Sequence, residues 1–154
     1  MPAVTARPAA QPARPRPSPA GRRGGYVVAL ALNGVLWWMV NRTPGWRAVP
    51  FLTDETPLVL GVVNASMVTA IVVNAVYVLT DPRWLTALGN LAQNVVGVAA
   101  AVQLWRVFPF AFDDGAVDWP LVARWVLAVA VVGGVIGLVV GVVSLVRALA
   151  DPRR

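Results

Sequence analysis

Six polar side chains lie inside long apolar stretches, and they are the residues whose types and spacing are best suited to chemistry. They are Asn33, Asn74, Asn90, Gln93, Asn94 and Ser144. If the stretches are helices with a rise of ~1.5 Å per residue, one of these residues from each stretch lies ~7 to 11 Å from the same membrane boundary. Lipid cannot satisfy a side-chain amide, so such groups face another helix or a wet cavity. The sequence therefore predicts a polar layer in the inner half of a membrane domain.

Two functions are open for this layer. It binds a polar headgroup or lines the path of an ion or solute, or it only joins helices through hydrogen bonds of ~0.6 to 2 kcal/mol per contact. No Asp or Glu lies inside any of the apolar stretches. This absence counts against a proton-coupled carrier, which needs a titratable relay inside the membrane.

Catalytic, metal and cofactor chemistry is not indicated. The chain has no Cys and no His, so it lacks a thiolate and the commonest general base and metal ligand. The adjacent acids Asp54-Glu55 and Asp113-Asp114 are of a type that binds divalent cations, yet such pairs in polar loops are usually only solvated. We therefore predict a protein that is not an enzyme and has no catalytic residue, no cofactor and no metal.

A Trp-Arg-x-x-Pro-Phe-x-x-Asp pattern occurs twice, at 46–54 and 105–113, with a constant offset of 59. Its residues are Trp46, Arg47, Pro50, Phe51 and Asp54 in the first copy and Trp105, Arg106, Pro109, Phe110 and Asp113 in the second. Each copy stands between two apolar runs, as expected for a duplicated helix-loop-helix unit. Tryptophan favours the membrane interface and proline stops a helix. The motif therefore predicts two external loops, which serve as connections or as a platform for a partner or ligand.

The apolar runs predict membrane-spanning helices at about residues 26–40, 58–79, 85–105 and 121–149. Thr56-Pro57, Asp81-Pro82 and Asp118-Trp119-Pro120 are typical helix starts. Asp-Pro-Arg recurs at 81–83 and 151–153, with an offset of 70. We therefore predict an all-α fold, a four-helix transmembrane bundle made of two tandem helix-loop-helix repeats that cross the membrane in the same sense.

Composition and charge indicate the surroundings of the chain. Hydrophobic residues make up 58% and charged residues 13%, against ~25% charged residues in soluble domains. Residues 1–25 are rich in Pro and Arg and contain no acid, which predicts a disordered cytoplasmic tail. With both termini in the cytoplasm, including residues 153–154, nine arginines lie inside and four outside. We attribute the net charge of +6 to topology and lipid attraction, not to nucleic acid.

Small residues in the last apolar run predict close helix packing. Gly133, Gly137 and Gly141 form a small-xxx-small pattern, which favours packing within the chain or, alternatively, a homodimer. Moving Asn64, Met67, Ile71 and Asn74 of the second run forward by 70 gives Gly134, Gly137, Gly141 and Ser144. One helix face is thus marked in both repeats, and we predict that it is the packing face.

The duplicated loop motif, the four spans and a basic set made only of arginine together resemble small, functionally uncharacterised four-helix membrane proteins of the actinobacterial type. The resemblance covers residues 26–152 and implies an architecture but no activity. We expect a multi-pass cell-membrane protein with a non-enzymatic interaction or accessory role, whose partners are membrane lipid and a protein or a second copy. The alternative is a small oligomeric channel or transporter that uses the inner polar layer.

Overall fold

The structure, a computed structural model, describes residues 18–112 and 115–150. Its helices are α1 (Pro19–Asn41), α2 (Pro57–Leu79), α3 (Arg83–Val107) and α4 (Trp119–Ala150), with a short 3-10 helix, Trp46–Ala48, after α1. No strand is present in the described part of the chain. All four α-helices are long and apolar enough to cross a membrane, which indicates a membrane protein. The predicted all-α four-helix class is confirmed.

Helix α1 begins earlier than the sequence analysis predicted. Residues 19–25, assigned there to a disordered tail, are helical because Ser18 caps the first turn and Pro19 occupies its first position. The Ser18 hydroxyl accepts a hydrogen bond of 3.1 Å from the Gly21 N–H. Proline at this position loses no helical bond, since its missing N–H would have no partner there anyway. The added residues lengthen a span that otherwise looked short, while residues 1–17 lie outside the described residues.

The other predicted helix starts agree with the structure to within one residue, but among them a side-chain cap forms only at Asp118. Helix α3 begins at Arg83 with Pro82 as its N-cap, and Asp81 pairs with Arg22 instead. The Asp118 carboxylate accepts a hydrogen bond of 2.9 Å from the Leu121 N–H, as an N-cap does. Helix α2 begins at Pro57 as expected, but the Thr56 side chain makes no cap. Thr56 is buried, and its hydroxyl instead donates a hydrogen bond of 2.7 Å to the carbonyl of Thr53 in the preceding loop. It therefore stabilises the preceding loop.

The helices pack as a row in which each contacts only its neighbours in the sequence. Contacts join α1 to α2, α2 to α3 and α3 to α4, and within the described residues no Cα of α1 lies within 8 Å of a Cα of α4. Successive helices are antiparallel. In the first hairpin Tyr26 lies beside Tyr77 and Asn41 beside Asn64. In the second, Gly134 lies beside Val98 and Gly141 beside Leu91. The start of α1 and the end of α4 thus lie at one end, here called the terminal end. The two repeated loops lie at the other, the loop end.

The α2–α3 seam is held by Tyr77, which is buried. Its hydroxyl donates 2.8 Å to the Thr86 carbonyl and also lies 3.4 Å from the Asn90 side-chain oxygen. A Cβ added at Gly89 would collide with this hydroxyl and lie 2.7 Å from Val73 Cγ1. Glycine at position 89 therefore allows the two hairpins, α1–α2 and α3–α4, to meet closely.

Large apolar side chains cover the outside of the row. Neither α1 nor α4 has a buried residue, and the exposed side chains of α4 are mostly Val, Leu and Ile. At ~1.5 Å per residue the 32 residues of α4 span about 48 Å, more than the ~30 Å thickness of the hydrocarbon layer. These exposed surfaces suit lipid contact, and α4 is long enough to tilt or to project beyond the membrane.

Candidate functional site

A polar groove lies between α3 and α4. Its first part has a volume of about 450 Å³ and is lined by Ala87, Asn90, Gln93, Asn94, Gly137, Val140, Gly141 and Ser144. The space exists because the residues that α4 contributes are mainly small. We call this cavity and its extension described below the α3–α4 groove.

Four of the six predicted layer residues share this groove: Asn90, Gln93 and Asn94 from α3 and Ser144 from α4. The other two lie elsewhere and bond to their own helices. The Asn33 amide donates a hydrogen bond of 2.8 Å to the Ala29 carbonyl. The buried Asn74 amide donates one of 2.7 Å to the Ala70 carbonyl. Because the helices form a row, α1 does not reach the groove, and the structure does not bring the six residues into one continuous layer.

The amides in the groove are largely without protein partners. Asn90 accepts weakly from Tyr77, while Gln93, Asn94 and Ser144 have no side-chain hydrogen bond among the described residues. No polar side-chain atom in the described chain is both sealed from solvent and unpaired. The free amide groups of Gln93 and Asn94 are therefore accessible from the groove. In hydrocarbon an unpaired amide is costly, so these groups need water or a ligand.

The groove continues to the terminal end and becomes basic. The extension has a volume of about 680 Å³ and shares Ala87, Asn90 and Ser144 with the first part. At its mouth lie Arg83, at the start of α3, and Arg147, near the end of α4. Neither arginine forms an ion pair with another described residue. The neighbouring acid Asp81 is instead held by Arg22 at 3.1 Å.

Glycines bring α3 and α4 together, but one of the three predicted packing glycines does not take part. A Cβ at Gly137 would lie 2.8 Å from the Asn94 amide nitrogen, and one at Gly141 would lie 3.2 Å from Leu91 Cδ1. At Gly133 nothing lies within 4 Å, whereas a Cβ at Gly134 would collide with Val98. The predicted packing of Gly133 within the chain is therefore wrong, and that role belongs to Gly134. The packing face of α4 is therefore the one that corresponds to the predicted face of α2 at a sequence offset of 70.

Two asparagines that were not predicted to interact close the first hairpin. The amides of Asn41 and Asn64 donate to each other's oxygens at 2.7 and 2.8 Å. Asn64 is on the predicted packing face, whereas Asn41 lies one residue beyond the first predicted span. The sequence carries no signal for this pair, because Asn41 ends α1 whereas Asn64 lies seven residues after the start of α2 at Pro57.

The two repeated loops are joined at the loop end. Leu52 and Phe110 form an antiparallel β-bridge. The Thr53 N–H donates a hydrogen bond of 3.1 Å to the Pro109 carbonyl, and the Ala111 N–H donates one of 2.9 Å to the Phe51 carbonyl. Pro109 is the largest fully buried side chain in the described chain. We call residues 50–53 and 108–112 the loop platform. The prediction that both loops lie on the same side of the helices is confirmed.

Aromatic rings cover the loop platform. Phe51 stacks on Phe112 at a centroid distance of 5.5 Å, Phe112 on Phe110 at 6.0 Å, and Phe108 meets Phe110 edge to face at 5.4 Å. An open cavity of about 520 Å³ lies beside them, lined by Pro50, Phe51, Ala111, Phe112 and Trp119. Phe51 is exposed and the other three rings are half-buried. A cluster of partly exposed rings is typical of a recognition site.

The repeated tryptophan and arginine positions are not structurally equivalent. Trp46 and Arg47 belong to the 3-10 helix, with the Arg47 guanidinium 4.9 Å from the Trp46 ring centre. Trp105 and Arg106 lie in the last turn of α3, which continues to Val107. The first copy leaves its helix earlier, at Asn41, and passes through Gly45 at φ 83°. The same residues therefore begin a loop in one repeat and end a helix in the other.

At the loop end Arg47 and Arg124 contact aromatic rings, and no charged group there forms an ion pair within the described residues. The Arg124 guanidinium lies 4.6 Å from the centre of the Phe108 ring and 5.9 Å from that of Trp105. Asp54 is exposed. Asp113 lies outside the described residues. In the described chain no three acids come close enough together to hold a metal ion.

Comparison of the chain with protein-family models, curated proteins and solved structures finds no match. The function is therefore argued from the geometry alone.

Proposed function

We propose that the chain is a non-enzymatic accessory protein of the cell membrane that binds a partner protein through its loop platform. The observation that supports the proposal most directly is the β-bridge between the two loops. It joins separate connections into one surface, which a chain of simple helix connections does not need. The exposed ring of Phe51, the half-buried ring of Phe112 stacked on it and the neighbouring cavity give that surface an apolar contact area.

Pre-organisation supports the same conclusion. Two backbone hydrogen bonds and three stacked or edge-on ring pairs restrict the platform before a partner arrives. A surface that is already ordered loses less conformational entropy on binding, and aromatic residues are enriched among the residues that dominate interface energies.

The orientation is part of the proposal. Antiparallel packing puts the start of α1 and the end of α4 at the same end, and most arginines of the sequence lie at that end or in the sequence before α1 and after α4. The positive-inside tendency places such an end in the cytoplasm and the platform outside. Reporter fusions after Glu55 and after Gly115 should both report an external location. A cytoplasmic signal from either fusion would contradict this orientation.

Photo-crosslinking in intact cells tests the platform. A photoreactive phenylalanine analogue in place of Phe51 or Phe112 should give a discrete protein adduct, and the same analogue in place of the lipid-facing Val129 should not. Ala111→Pro removes the N–H that bonds to the Phe51 carbonyl and should weaken the adduct. Equal labelling from Val129, or no adduct from either platform position, would contradict a partner-binding platform.

A small oligomeric channel or transporter is the second candidate, and the unpaired amides of the α3–α4 groove support it. The helices form a row and not a ring, so a second copy of the chain is needed to enclose an aqueous path. Flux through proteoliposomes of the purified chain tests this candidate. Asn94→Leu should abolish flux if the groove carries solute. If wild type moves no solute and Asn94→Leu only changes the melting temperature, transport is excluded.

A further inference from the structure

We propose that the α3–α4 groove binds the headgroup of an anionic phospholipid, with Arg83 and Arg147 on the phosphate and the amides of Asn90, Gln93 and Asn94 on the oxygens beneath it. The site lies at the terminal end, away from the loop platform. It does not depend on the function proposed for the platform.

The charge at the groove mouth is the first argument. The charged side chains described at the terminal end are four arginines, Arg22, Arg23, Arg83 and Arg147, and a single acid, Asp81. Arg22 occupies Asp81, so the one described acid nearby does not neutralise the arginines of the groove. Guanidinium groups bind phosphate oxygens with paired, charge-assisted hydrogen bonds. Basic pockets between membrane helices on the cytoplasmic side are suited to anionic headgroups.

The second argument is the gradient of polarity along the groove. The mouth is cationic, the middle carries the amide groups of α3 and the hydroxyl of Ser144, and the surrounding faces of α4 are Val, Leu and Ile. A phospholipid has the same order of chemical groups, from phosphate through ester oxygens to acyl chains. A free phosphate ion would use only the mouth and would leave the amides unpaired.

The third argument is access. The groove opens between two helices at the side of a row, and α1 does not cover it. A lipid diffusing in the membrane can therefore enter sideways, with its chains against α4. The amides of Gln93 and Asn94 are accessible and have no described protein partner, so a ligand that supplies acceptors or donors stabilises them.

Native mass spectrometry of the full chain released from nanodiscs tests the site. The nanodiscs contain equal amounts of phosphatidylglycerol and phosphatidylcholine. Wild type should retain phosphatidylglycerol in preference to phosphatidylcholine. The double variant Arg83→Gln, Arg147→Gln should lower that preference by about 10- to 30-fold, as expected for the loss of two membrane-surface arginines.

A matched variant controls for charge. Arg47→Gln with Arg106→Gln removes the same charge at the loop end and should keep the preference. Arg83→Lys with Arg147→Lys keeps the charge but not the paired geometry and should keep part of it. Equal loss in the two glutamine variants would contradict the site, because it would show attraction by net charge alone.

Measurements on wild type decide the outcome even if a variant does not fold. Equal retention of the two lipids by wild type would overturn the proposal. Retention of inorganic phosphate by wild type, with no preference between the two lipids, would also overturn it, because the mouth of the groove would then bind a free anion and not a lipid headgroup.

Discussion

The two hairpins of the chain carry the same sequence pattern but are closed by different interactions. In the α1–α2 hairpin, Asn41 and Asn64 use their amides on each other. The corresponding positions of the α3–α4 hairpin, at offsets of 59 and 70, are Ala100 and Gly134. Ala100 is buried, and Gly134 allows the backbone of α4 to approach Val98. One hairpin is thus joined by a polar pair and the other by direct helix contact.

The difference explains where the free polar groups of the molecule are. The first hairpin uses its amides for its own structure, including the helix bonds of Asn33 and Asn74. The second hairpin is held by small residues, so the amides on α3 are not needed for closure and line a groove instead. A ligand site is therefore expected in the second hairpin and not in the first. The following substitutions test this contrast.

Overpacking the second hairpin should have the largest effect. Gly134→Leu places a side chain where Val98 already lies, and overpacking of this kind costs up to about 3 kcal/mol. Gly133→Leu is the matched control, because nothing lies within 4 Å of its added Cβ. Thermal unfolding in nanodiscs should show a clear loss of Tm for the first variant only. Similar Tm values for the two variants would contradict the assigned packing face.

The seam between the hairpins should respond next. Gly89→Ala pushes its methyl group into the Tyr77 hydroxyl and Val73, and it should destabilise the chain by about 1 to 2 kcal/mol. Gly97→Ala, in the same helix but with open space around it, should instead stabilise the chain by up to about 1 kcal/mol through helix propensity. Opposite changes of Tm confirm the seam. A stabilising Gly89→Ala would show that the hairpins are not in close contact there.

The Asn41–Asn64 pair that closes the first hairpin should contribute less to the free energy of unfolding. A double-mutant cycle on Asn41→Leu and Asn64→Leu should give a coupling free energy of about 0.6 kcal/mol, the average for hydrogen bonds between membrane helices. The free energies come from unfolding of the four variants in the same nanodiscs. A coupling indistinguishable from zero would remove the main distinction between the two hairpins.

The smallest effect is expected at the terminal end. Asp81→Asn removes the ion pair with Arg22. In this pair the Asp81 side chain is 24% exposed and the Arg22 side chain is 42% exposed. Solvent screens such a pair, so the loss of stability should be at most about 0.5 kcal/mol and should shrink as salt is added. Asp54→Asn at the loop end is the control and should be neutral. A loss at Asp81 that does not depend on salt would show a role beyond charge pairing.

Much of the architecture was predictable because it depends on composition and local signals. The four spans follow from apolar length, and the helix starts at Pro57 and Asp118 follow from proline and capping chemistry. The start of α1 was missed because the composition of residues 1–25 outweighed the Ser18-Pro19 signal. The groove residues were identified by type, but their grouping was not, since depth along a helix does not tell which helices are neighbours.

Spacing rules also failed at the packing glycines. A small-xxx-small pattern selects Gly133, Gly137 and Gly141, all four residues apart. The face that meets α3 instead follows steps of three and four, through Gly134, because an α-helix has 3.6 residues per turn. Comparison of the two repeats gave the correct face, since both copies place the same positions against a neighbour. The Asn41–Asn64 pair could not be foreseen without knowing how the two helices are aligned.

The bridge between the loops also determines the order in which the chain can mature during synthesis. Thr53 leaves the ribosome 56 residues before Pro109, whose carbonyl is its hydrogen-bond acceptor. Until then the Thr53 amide must donate to water, because a free backbone N–H needs some partner. The first hairpin therefore enters the bilayer with its loop-end turn unfinished. That turn reaches its final conformation only when the second hairpin has been translated and inserted beside it.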